Sequence, residues 1–157
     1  MMTLLGEGMT GQPAASYSNA HMERGKVMEE EACEMYSFTR EISLTKVGFI
    51  RNGRVGCSPD RLIGNDGMVE AKTKLPHLQI EVLLADKLPS EHVHQVQGGL
   101  WVAEREWCDF LSYWPGLPMF VTRVYRDQPY IEKLAKEVSA FLDEMDGLET
   151  RLRKMAA

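Results

Sequence analysis

Cysteine is scarce in this chain: Cys33, Cys57 and Cys108 are the 3 present among 157 residues. They are odd in number, widely spaced and form no Cys-x-x-Cys pair, which argues against a disulfide framework or a zinc ribbon and for a reducing, cytoplasmic setting. Long apolar runs are missing too. No stretch approaches the roughly 20 residues needed to span a bilayer, and the start, Met1-Met2-Thr3-Leu4-Leu5-Gly6-Glu7, lacks the basic and apolar regions of a signal peptide. Nor is there an excess of positive charge. The 18 Lys and Arg stand against 23 Asp and Glu, a net charge of -5, which excludes a protein that coats nucleic acid by bulk charge and leaves room for a local basic site. Repeats, low-complexity runs and linkers are likewise absent. What is present, 44% hydrophobic and 26% charged residues, suffices for one core, so a single domain over 1–157 is expected.

Pattern along the chain predicts helices and strands in alternation. Residues 1–18, with Gly6, Gly8, Gly11 and Pro13, read as an irregular lead-in. From Asn19 to Thr39, Met28, Ala32, Met35 and Tyr36 recur at helical spacing beside acidic residues. Val47–Ile50, Val55–Cys57, Leu62–Ile63 and Met68–Lys72 are β-rich and are separated by Asn52-Gly53 and Asp66-Gly67 turns, which predicts a three- or four-stranded meander. Helical pattern returns over Leu78–Ala85 and Ser90–Arg105, with Ser90 as N-cap. Trp107–Trp114 and Met119–Tyr125 form a strand pair about Pro115-Gly116-Leu117-Pro118, and residues 128–154 form a closing helix. The fold expected is an α/β or α+β domain whose sheet is covered by helices.

Chemistry concentrates between Ser58 and Lys72. Asp60 ends one strand, while Glu70 and Lys72, two apart, share a face of the next, and the hairpin between them brings the two carboxylates together. With the Ala71 carbonyl they form a hard-oxygen site suited to Mg²⁺, with Mn²⁺ as the alternative ion, and Lys72 stands where its ammonium can orient a water or offset a phosphate. Alone, any of these residues is an ordinary solvated charge. The spacing Pro59-Asp60, nine residues, Glu70-Ala71-Lys72 nonetheless resembles the PD-(D/E)xK nuclease signature.

Three blocks strengthen that resemblance. Gly25-Lys26-Val27-Met28-Glu29-Glu30-Glu31-Ala32-Cys33-Glu34-Met35-Tyr36 is similar to the G-x-x-x-E-x-x-A-x-x-x-aromatic helix of the bacteriophage lambda exonuclease family, the YqaJ-like viral recombinases, and Gly56-Cys57-Ser58-Pro59-Asp60 to its small-Cys-Ser-Pro-Asp run. His94-Gln95-Val96-Gln97-Gly98-Gly99-Leu100-Trp101-Val102 resembles its Gln-x-Gln helix. The blocks occur in the family's order.

The resemblance implies a restriction-endonuclease-like α/β core, with a mixed central sheet flanked by helices. It makes Asp60, Glu70 and the Ala71 carbonyl metal ligands, Lys72 the catalytic lysine, Glu29 a helix carboxylate near the metal and Gln95 an active-centre residue. Arg54, Arg61, Lys74 and Gln97 are expected to contact DNA. The implied activity is Mg²⁺-dependent hydrolysis of DNA phosphodiesters by a 5'-to-3' double-strand exonuclease of phage recombination. The implied partners are double-stranded DNA, further copies of the chain in a homotrimer, and a single-strand annealing protein. The family's leading helix, with an Arg and a Ser for the 5'-phosphate end, is expected to lack a counterpart ahead of Thr3. An inactive prophage remnant serving as a DNA- or protein-binding module is the alternative, and an endonuclease of the same fold a third reading.

Other residues read as structural. Glu30 and Glu31 are expected to be structural or exposed, and His77, His92 and His94 lack zinc-ligand spacing. Trp101, Trp107, Tyr113 and Trp114 are expected in the core, as are Met28, Met35, Met119 and Met145. Between Arg40 and Lys87, eight Lys or Arg outnumber six Asp or Glu, so the acidic whole contains a basic stretch around the proposed site.

Overall fold

A computed structural model describes residues 1–14 and 20–155. In chain order these form α1 (Met2–Thr10), α2 (Ala20–Arg40), β1 (Ile50–Asn52), β2 (Val55–Cys57), β3 (Arg61–Ile63), β4 (Gly67–Thr73), α3 (Pro76–Ala85), a 3-10 turn (Ser90–His92), α4 (Val93–Val102), β5 (Trp107–Tyr113), β6 (Phe120–Tyr125) and α5 (Gln128–Met155). The chain divides into two compact units, one of Met1–Ser18 with Glu132–Ala157 and the other Asn19–Ile131. Among the described residues no helix is long and apolar enough to cross a membrane.

In the larger unit the strands make two sheets rather than one meander. β1 and β2 form a separate antiparallel hairpin, and β3-β4-β5-β6 form a four-stranded mixed sheet. β4 runs antiparallel to β3 and parallel to β5, with Glu70 opposite Phe110 and Lys72 opposite Ser112. A parallel pair needs a crossover, which α3 and α4 supply. Paired on both edges and covered on both faces, β4 is buried from Gly67 to Ala71, as its near-continuous apolar run requires.

Alternation along β4 and β5 sorts the core into two layers. Met68, Cys108 and Phe110 pack with Val96 and Leu100 of α4, whereas Val69, Ala71 and Leu111 pack with Cys33 and Tyr36 of α2. The first hairpin turns at Gly53-Arg54, one residue later than the Asn-Gly pair predicts, because Asn52 pairs with Val55 and Gly53 takes the positive φ of 61°. The second turns through Gly64-Asn65-Asp66, and Gly64 has φ 52°.

Several expectations are corrected. Met2–Thr10 is helical where a loop was expected, since the first proline is Pro13 and Leu5 gains burial from the helix, which stops at Gly11 in the left-handed region. The lead-in at 15–18 and the helix start at Asn19 lie outside the described residues. Ser90 opens the 3-10 turn, and His92 occupies the N-cap of α4. Met35 is exposed, being the one of its four-residue set turned off the buried face that holds Met28, Ala32 and Tyr36. Trp101, Trp107 and Trp114 are only half-buried, and Tyr113 alone of those aromatics is core. Trp107 lies flat against Gly67, where a Cβ would come within 2.4 Å of the indole, and carries the Arg123 guanidinium 3.6 Å from its ring centre.

Candidate active site

β3 is short, and its ladder with β4 ends at the Arg61–Val69 pair. Asp60, just before it, continues the contact by other means: its N–H donates to the Val69 carbonyl at 3.2 Å, and its Oδ2 accepts the Ala71 N–H at 2.7 Å. The carboxylate thus replaces a strand at the edge of β4. One residue's N–H and C=O point to the same edge, so the Ala71 carbonyl faces that side too, past the end of the ladder.

Glu70 projects onto the α4 face and is buried, 5% exposed. One of its oxygens, Oε1, accepts from Lys72 Nζ at 2.6 Å and from Gln95 Nε2 at 2.5 Å. Period-two spacing on β4 sets Lys72 beside it, and α4 delivers Gln95 from across the sheet face. Glu29 approaches from α2, close enough that the Asp60 charge, after its own burial, pushes its carboxyl upward. Burial likewise raises Asp60 above its ordinary range, against the pull of the Ala71 N–H. Glu70 is pushed up to about 6, burial outweighing the opposing Lys72 charge.

Five of the expected site residues, Glu29, Asp60, Glu70, Lys72 and Gln95, therefore meet in one place together with Ala71. Their chemistry fits a hard divalent ion. A cation relieves like charges held in a buried setting, and Asp60 and Glu70 each engage one oxygen, Oδ2 and Oε1, in the bonds above. Among the described residues no group of three or more His, Cys, Asp or Glu side chains is arranged to hold a metal ion. The donors suit an ion such as Mg²⁺, which takes one or two carboxylates and keeps several waters.

The expected DNA contacts separate. Arg54 lies exposed on the β1–β2 hairpin. Lys74 pairs with Glu91 at 2.9 Å. Gln97 is 4% exposed, and its amide donates to the Tyr125 carbonyl while accepting the Asp127 N–H, so it ties α4 to the end of β6 rather than facing a ligand. Arg61 is 9% exposed and bound to Glu30. Glu31 accepts the Tyr113 hydroxyl, and the His92 ring packs 5.2 Å from that of Phe110. Sequence reasoning gave no role to Asp109, which is buried, bidentate to Arg123 at 2.8 Å and bonded by the Tyr36 hydroxyl; an Asp inside the Trp107–Tyr113 run was the available signal.

A mixed sheet flanked by helices, with carboxylates and a lysine gathered where β3 begins beside β4, defines a restriction-endonuclease-like nuclease fold. Residues 2–106 match the YqaJ-like viral recombinase domain, and the chain belongs to that family. The alkaline exonuclease LHK-Exo of Laribacter hongkongensis is similar at 33% identity and TM-score 0.90, over 99% of this chain and 82% of that one. Its complex with dAMP matches at 34% identity, with the same TM-score and coverage. A phage-related exonuclease from Haemophilus somnus 129PT shares the fold at TM-score 0.71 and 17% identity, over 96% of this chain and 81% of that one. No curated protein matches the chain.

Proposed function

We propose that this chain is a Mg²⁺-dependent exonuclease that degrades double-stranded DNA from 5' to 3' in phage-type recombination. The observation that carries the reading is the shared Glu70 oxygen, held by Lys72 and Gln95 beside an Asp60 locked to β4. Asp60, Glu70 and the Ala71 carbonyl hold the ion in this reading. When bound, the ion supplies Lewis acidity at the scissile phosphate and eases loss of a proton from the attacking water. Lys72 orients that water and offsets phosphate charge, while Gln95 fixes the Glu70 rotamer. Glu29 adds a carboxylate from α2. The dAMP bound to the L. hongkongensis relative supports a mononucleotide product. A homo-oligomer, a trimer by family resemblance, and a single-strand annealing partner belong to the same reading.

Purified protein with Mg²⁺ is expected to convert linear duplex DNA to 5'-mononucleotides and to leave closed circular DNA intact. Glu70→Gln and Lys72→Ala should each lower the rate by more than about 100-fold. Activity surviving in either variant would overturn the site assignment. Cutting of the circle would make the enzyme an endonuclease, and no cutting of either substrate would favour a binding module.

A further inference from the structure

Asp60 and Glu29 are like charges brought together from different elements, and each is followed in sequence by a residue of the opposing ion pair. Arg61 follows Asp60, and Glu30 follows Glu29. The Arg61 guanidinium spans the two elements: Nη1 donates to the Asp60 carbonyl at 2.5 Å, and Nη2 lies 2.6 Å from Glu30 Oε1. We infer that Arg61 and Glu30 form a positioning clamp that holds the Asp60 backbone against α2, and so fixes the spacing of Asp60 and Glu29 on which affinity for the divalent ion depends. The inference rests on the reading of Asp60 as an ion ligand.

Repulsion between Glu29 and Asp60 tends to part α2 from the start of β3, and an attractive pair one residue further along both elements opposes it. Arg61 borders a cavity of about 360 Å³ next to Cys33 and Leu44, and its guanidinium is held there by the Asp60 carbonyl and the Glu30 carboxylate. Finally, a planar fork holds a carbonyl and a carboxylate in fixed geometry at once, which a lysine ammonium on its flexible stem does less well. Glu30 also binds Lys46 at 2.9 Å, but that lysine is 71% exposed and touches neither Asp60 nor its carbonyl among the contacts observed.

Calorimetric titration of the intact protein with Mg²⁺ tests the clamp without reference to turnover. Arg61→Gln is expected to weaken Mg²⁺ binding by about 10-fold or more, the size of effect seen for residues that orient metal ligands. Glu30→Gln should act in the same direction, and the double variant should bind no more weakly than Arg61→Gln alone, since both remove one interaction. Arg61→Lys should fall between wild type and Arg61→Gln, and Lys46→Ala should match wild type. At saturating Mg²⁺ the KM for DNA of Arg61→Gln should be unchanged. A raised KM with unaltered Mg²⁺ affinity would make Arg61 a DNA contact and overturn the clamp. Should Arg61→Gln fail to fold, Glu30→Gln, altered at the exposed end of the pair, decides the matter by the same titration. If wild type binds Mg²⁺ and Glu70→Gln does not, while Arg61→Gln and Glu30→Gln bind as wild type, the clamp falls and the site stands. If wild type binds no Mg²⁺, both fall.

Discussion

Glu70 is the residue at which burial and charge pairing oppose each other most directly. Its carboxyl is raised from 4.5 to about 6 although Lys72 Nζ lies 2.6 Å away. Because the folded value exceeds the unfolded one, the metal-free folded protein holds a proton that the unfolded chain releases between those two pH values. The resulting stabilisation, about 2 kcal/mol at 1.36 kcal/mol per unit, is fully present below about pH 4.5 and is lost as pH rises through about 6. Mg²⁺ competes with that proton, so its stabilising effect should grow over the same interval. Denaturation midpoints from acid to neutral pH, with and without Mg²⁺, check both slopes. Glu70→Gln should flatten the metal-free curve, and a flat wild-type curve would refute the assignment. Asp60, Glu70 and Lys72 were legible as neighbours because they lie along a single hairpin, whereas Glu29 and Gln95 come from α2 and α4 and were reached only through the family resemblance. Gln97 and Arg61 were not legible in either way, since the Tyr125 carbonyl and the Glu30 carboxylate that claim them come from distant parts of the chain.

At the scale of single elements, α3 shows how one buried polar residue can anchor a helix to the sheet. Gln79 is fully buried; its Nε2 donates to the Ser112 carbonyl at 2.9 Å and the Pro118 carbonyl at 3.0 Å, and its Oε1 accepts the Ser112 hydroxyl at 2.5 Å. One amide therefore satisfies both β5 and the turn that leads into β6. Gln79→Leu keeps much of the volume but strands those groups, and it should destabilise the protein by about 2 kcal/mol or more, on the scale of buried polar groups left unpaired. Urea unfolding of the variant measures this, and an unchanged midpoint would show that the network contributes little. Nothing in the sequence near Gln79 distinguished it, because its partners lie 33 and 39 residues away. By contrast, α5 could be read almost to the residue, since a long amphipathic stripe needs no knowledge of its neighbours.

For the molecule as a whole, strand pairing was legible only where a turn joins the partners. Both hairpins and the β5–β6 pair were expected from pattern; the family resemblance implied a mixed sheet but pattern did not assign the parallel β4–β5 ladder, which converts a presumed meander into two sheets and lets α4 carry Gln95 to Glu70. Charge behaves in a similar way. The net charge of -5 describes the whole chain, yet a phosphate meets only the local surface. The exposed arginines of the β1–β2 hairpin, Arg51 and Arg54, are cations of the basic stretch that the fold leaves at the surface, whereas Arg61 is turned inward to Glu30. Binding of linear duplex DNA should therefore weaken with salt, and Arg54→Ala and Arg51→Ala should each lower the slope of log affinity against log salt by about 1. Lys74→Ala should have a smaller effect because Glu91 already neutralises that ammonium. Arg61→Gln should leave the slope unchanged. Fluorescence anisotropy in the absence of Mg²⁺, from about 50 to about 200 mM salt, separates these cases. A slope lowered by Arg61→Gln but not by the hairpin variants would place the DNA on the α2 side of β3 instead.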